Sequence, residues 1–206
     1  MKFYFFKRLS IGLTAMFLLF GFAACNTEGG DVSKTGGKSE GTVDIVLPPA
    51  AEREALTQNG ILGTYMGNCT VIMDGRKYGP YGETVKIDES VYHKITFVSE
   101  KTVYDVMPVD FSYAFSDIKL TADSDGKAFS FTGTGGELIT YTKGNNNGRS
   151  LPRKNTAVRG FFYKKGGKLY CSYIVDYNMD DIRDEFPLMP PDHKTLSSIT
   201  RDAVRQ

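Results

Sequence analysis

The chain has 206 residues, 25 of them Lys or Arg and 24 Asp or Glu, and 41% are hydrophobic. So even a charge balance leaves no basic footprint for nucleic acid and no polybasic cluster for an anionic membrane surface. The length fits one domain behind a short leader.

Residues 1–8 (MKFYFFKR) carry three positive charges and no acid, and Leu9 to Ala24 is an uncharged, mostly apolar run. A charged start, an apolar stretch and a small-residue finish form a secretory signal. The run is shorter than the ~20 residues a spanning helix needs. Its end, Phe22-Ala23-Ala24-Cys25, resembles the lipobox of bacterial lipoproteins, with Phe22 standing where that family usually has Leu. The resemblance implies that residues 1–24 are removed and that Cys25 is acylated to become the mature N-terminus. The expected location is therefore the cell envelope, with the lipid as the membrane attachment. Asn26 shows no inner-membrane retention signal, so the outer membrane is the expected destination, on either face. Loss of Lys2, Lys7 and Arg8 leaves 22 basic against 24 acidic side chains in the remaining 182 residues.

Residues 25–41 read as a tether. Asn26 to Gly41 holds five glycines and only Val32 as a large apolar residue. Such a segment cannot bury enough surface to offset its ordering entropy, and it spans roughly 20–25 Å as a flexible chain. Residues 42–59 read as an edge strand over Thr42 to Leu47, stopped by Pro48-Pro49, then a helix over Ala50 to Gln58 that caps one end of the fold.

From Ile61 to Tyr177 the pattern changes to short alternating segments, such as Thr84-Val85-Lys86-Ile87-Asp88 and Val91-Tyr92-His93-Lys94-Ile95-Thr96-Phe97. A period of two with many Tyr, Phe, Val, Ile and Thr residues marks half-buried strands. Eight strands are predicted at 62–74, 82–89, 91–98, 115–122, 127–133, 137–143, 156–164 and 168–177. The breaks at Asp74-Gly75, Asp125-Gly126, Gly135-Gly136 and Gly166-Gly167 are short enough for hairpins. Sequential hairpins predict an all-β fold, an antiparallel up-and-down barrel over residues 60–177. Gly63-Thr64-Tyr65-Met66-Gly67 and the Tyr78-Gly79-Pro80-Tyr81 turn, taken with the lipobox and tether, resemble the calycin-like (lipocalin-like) β-barrel lipoproteins of Gram-negative gut anaerobes. That resemblance implies a fold more than a function. Residues 178–206, with three prolines and many charges, read as an irregular tail with a short helix after Thr195.

Cys69 and Cys171 fall in the first and last predicted strands, on the parity of apolar neighbours, so a closed eight-stranded meander would set them side by side. They are a candidate disulfide in an oxidising compartment, the alternative being two buried thiols. His93 shares parity with Val91, Ile95 and Phe97, and could fix the polar end of a ligand inside the barrel. The two histidines have no nearby Cys or acidic cluster, which predicts no metal site. No nucleophile elbow or marked carboxylate pair appears, so no catalysis and no cofactor are expected. Two functions remain. In one, Tyr65, Val71, His93, Ile95, Phe97, Ile118, Phe129, Phe131 and Tyr173 line a pocket for an apolar or amphipathic small molecule. In the other, the same residues fill the barrel, which displays its loops to an envelope protein or glycan.

Overall fold

The computed structural model describes residues 44–91, 94–105, 107, 109–153, 155–185 and 194–206. Cys25, the signal peptide, the tether, His93 and His193 lie outside the described residues. The elements are β1 (Gly63–Met73), β2 (Arg76–Val91), β3 (Lys94–Ser99), β4 (Val109–Ala122), β5 (Ala128–Thr134), β6 (Glu137–Thr142), β7 (Arg149–Pro152), β8 (Ala157–Lys165), β9 (Lys168–Tyr177), α1 (Met179–Glu185) and β10 (Leu196–Arg205).

All strand pairings are antiparallel, and the ring β3-β2-β1-β10-β9-β8-β5-β4 closes through β3–β4. The all-β, up-and-down barrel expected from the alternation is thus present. β6 and β7 complete it as continuations. β4 pairs with β5 through Lys119 to Ala122 and with β6 through Val109 to Ala114, so β5 and β6 act as one long, interrupted strand. β7 and β8 do the same on the other side, pairing with β6 and β5.

The Asp74-Gly75 and Gly166-Gly167 turns have positive φ at both positions, the geometry that matches strand twist in two-residue hairpins. Gly135-Gly136 also has positive φ at both residues, but here the chain does not reverse. A Cβ on Gly136 would sit 2.5 Å from the carbonyl oxygen of Ala114, so the strand passes too close to β4 for any side chain. The hairpin expected at this dipeptide is a break within a strand.

Three further expectations are corrected. The C-terminal segment is not an irregular tail: it supplies α1 and β10, and β10 closes the ring between β1 and β9. The barrel therefore closes through residues 196–205, not by pairing of the first strand with residues 168–177. The helix over 50–58 is replaced by two short 3-10 turns, Ala50–Glu52 and Asn59–Ile61, and residues 44–49 form no strand. This segment runs along the outside of β8, where Asp44 pairs with Arg159, Glu54 with Lys164 and Glu52 with Lys165. Ile45 and Leu47 pack there on Ala128, Phe161, Tyr163 and Tyr170, which point away from the bore.

Candidate functional site

Alternation places one apolar row of every barrel strand inward, and the predicted lining residues follow it. Tyr65, Val71, Ile95, Phe97, Ile118, Phe131 and Tyr173 are buried in one continuous core, and Phe129 packs partly buried against it. They meet each other. Phe97 on β3 and Tyr173 on β9 stand on opposite walls of the eight-membered ring, yet their ring centroids are 4.8 Å apart in an edge-on contact. Phe97 also lies 5.6 Å from Phe131 and stacks at 6.1 Å on Tyr113. Opposed aromatic edges and faces attract, and the contact bridges the bore at this level.

Both mouths are covered. At the end where β1 begins, residues 55–62 cross the opening: Ile61 is fully buried in the core, with Leu56 and Leu62 packed beside it. The Tyr65 hydroxyl donates to the Ile61 carbonyl at 2.6 Å, and Arg205 Nη1 donates to the Gly60 carbonyl at 2.6 Å. At the other end, Tyr104 and Met107 from the β3–β4 connection and Met179 and Ile182 from α1 enter the core. The Asn178 side chain accepts from the backbone N–H groups of Asp180 and Asp181 at 3.0 and 3.1 Å, capping α1.

Within the bore sits a carboxyl group that the sequence reading did not single out. Glu83 on β2 is 3% exposed. Tyr113 donates to its Oε1 at 2.8 Å, and Tyr173 and Thr200 donate to Oε2 at 2.6 and 2.5 Å. Three hydroxyls from β4, β9 and β10 therefore converge on one side chain of β2. Burial pushes the Glu83 carboxyl above its ordinary range, and the three donors pull it part of the way back. Burial likewise pushes the Tyr113 and Tyr173 hydroxyls well up, so they remain protonated donors. A signal was available: Glu83 shares parity with Val85 and Ile87, an acid on the apolar row.

Cys69 and Cys171 are both free and buried, which corrects the candidate disulfide. Each faces the interior as expected, but β10 lies between their strands: Cys69 is opposite Thr200 and Cys171 opposite Ala203. Burial raises both thiols far above the ordinary cysteine range, which leaves no thiolate for nucleophilic chemistry. Among the described residues no cluster of three metal-ligating side chains occurs.

A groove of about 480 Å³ opens outside the bore, between the plug and the β8–β9 turn. Leu56 and Leu169 form its apolar part and Lys164, Lys168 and Arg205 its basic rim. Models of protein families, curated proteins and solved structures compared with this chain yield no match.

Proposed function

We propose that this chain is a lipid-anchored cell-envelope protein without catalytic activity, a solid barrel that displays its outer surface and loops to an envelope partner. The contact between Phe97 and Tyr173 carries this reading, because side chains from opposite walls occupy the space an apolar ligand would need. The covered mouths and the fully hydrogen-bonded Glu83 support it. The lipobox-like Phe22-Ala23-Ala24-Cys25 supports the anchor, and the likeness to calycin-like lipoproteins supports the setting.

One pair of measurements tests the reading. Cys25→Ser should accumulate as an unprocessed precursor and leave the detergent-rich phase in partitioning, while normal membrane recovery would refute the anchor. Titration of the wild type with an environment-sensitive apolar dye should give no saturable signal. A saturable signal abolished by Phe131→Asp would instead place a small molecule in the bore.

A second reading keeps the small molecule but moves it. The groove beside Leu56 and Leu169 has the volume of a ligand site and a basic rim, which suits an amphipathic molecule with an acidic head. Saturable dye binding lost in Leu169→Asp and retained in Phe131→Asp would favour it.

A further inference from the structure

Two arginines of this fold are almost wholly buried, and their surroundings differ. The Arg53 side chain, 8% exposed, pairs with Asp123 and Asp125. Arg153, 7% exposed, has no carboxylate partner among the described residues. Its Nη1 donates to the backbone carbonyl of Asp181 on α1. Its Nε and Nη2 meet no acceptor.

Those two atoms are not an arbitrary pair. Nε–H and Nη2–H project in parallel from one edge of the guanidinium, at the spacing that matches two oxygens of a carboxylate or a phosphate. A third orphan lies three residues on: Thr156 Oγ1 is buried without a partner, its residue 3% exposed. The backbone around both residues is already fixed by bonds that spare these donors. The Arg153 N–H donates to the Gly136 carbonyl at 2.9 Å, and the Gly135 N–H donates to the Thr156 carbonyl at 2.8 Å. The Asn155 N–H donates to Asp181 Oδ2 at 3.1 Å. The junction between β7, β8 and α1 is thus built, while its one permanent positive charge lacks a counter-charge. A guanidinium cannot shed its proton, and a buried charge is costly unless paired. Water would satisfy the donors but leave the charge uncompensated.

We propose that Arg153 is the receptor for an oxyanion, a carboxylate or phosphate group, clamped by its Nε–Nη2 edge at the junction of β7, β8 and α1, with the Thr156 hydroxyl as a further donor. The small exposure of Arg153 restricts the occupant to a free ion or the end group of a small molecule. Because Arg153 also holds the Asp181 carbonyl, occupancy reinforces the docking of α1 on the barrel mouth.

The test uses the full chain labelled with ¹⁵N-arginine and refolded from urea into a buffer free of carboxylate and phosphate. Sodium formate and inorganic phosphate are titrated separately, with sodium chloride as the ionic-strength control. The Arg153 Nε–H resonance, assigned by its loss in Arg153→Lys, should shift saturably with formate or phosphate and not with chloride. The melting temperature should rise in step. Whichever ion saturates at the lower concentration identifies the oxyanion class. Arg153→Lys keeps the charge, lacks the parallel edge, and should lose the ion-specific rise in melting temperature. If that variant does not fold, Thr156→Val serves in its place and should weaken the response about fivefold. The proposal is overturned if neither ion moves the resonance, if chloride acts equally, or if the wild type binds but Thr156→Val and Arg153→Lys respond as it does.

Discussion

Tyr173 on β9 donates its hydroxyl to Glu83 on β2 at 2.6 Å, although three steps around the ring separate their strands. The bond crosses the interior and does not follow the wall. Tyr113 and Thr200 converge on the same carboxyl group, so four strands are fastened at one buried point. An apolar residue at position 83 would leave three buried hydroxyls without a partner, at about 1–3 kcal/mol each.

Glu83 should make stability depend on pH with a sign opposite to that of most carboxyl groups. Its pKa is raised in the fold by burial, so the folded state binds the proton more tightly than the unfolded chain does. The stability this contributes is complete below the unfolded value of about 4.3 and is lost as pH rises through the folded value. Glu54 and Asp123, whose carboxyl groups are lowered by hydrogen bonds, act in the reverse direction at acid pH. The comparison with Glu83→Gln isolates the buried group. Urea midpoints measured at pH 5 and pH 9 should show Glu83→Gln gaining on the wild type as pH rises, and a difference independent of pH would remove the proton of Glu83 from the account.

The thiols give a second expectation. Cys69 and Cys171 are buried and apart, with raised pKa values, and should be inert in the native protein. In a Cys25→Ser background, a thiol reagent should label neither before denaturation and both in guanidinium, without prior reduction. Labelling that appears only after a reductant is added would mean a disulfide and a different arrangement of β1, β9 and β10.

Gly160 on β8 offers a steric test of the filled bore. A Cβ there would stand 2.4 Å from the Ser172 carbonyl oxygen and 2.7 Å from both Phe131 Cζ and Tyr173 Cβ. Two of these neighbours are core aromatics held on other sides, so one added methyl must displace the wall. Gly160→Ala is expected to cost about 1–3 kcal/mol or more, read from the urea midpoint. A loss within 0.5 kcal/mol would show slack in the interior that the contacts do not suggest.

Much of the barrel was legible because its strands alternate and its hairpins use dipeptides suited to positive φ. Residues 168–177 coincide with β9, and the inward row there was read correctly through Leu169, Cys171, Tyr173 and Val175. β10 was not legible for a physical reason. Its inward positions include Ser198, Thr200 and Ala203, small or polar residues that suit the crowded tyrosine-rich interior. A register shift between Thr200 and Ala203, with Asp202 at φ 54°, then breaks the period of two. α1 carried a readable start, Asn178 ahead of Asp180 and Asp181, which was passed over among the prolines that follow. Glu83 was hidden by the habit of reading every acid as solvated. The orphaned edge of Arg153 had no signature in sequence, since its isolation depends on what the fold brings near it.

The position of β10 also sets a schedule. A chain emerging N-terminus first from a ribosome or a translocation channel can form the hairpins from β1 to β9 in turn, each with its neighbour already present. The two outermost strands of that open sheet, β1 and β9, have no pairing with each other to fall back on, because β10 occupies the space between them. Ring formation must wait for residues 196–205, by which time nearly all the rest is out. Until then the inward aromatic row stays accessible to water and to chaperones, and the protein is held in a threadable state by its own connectivity.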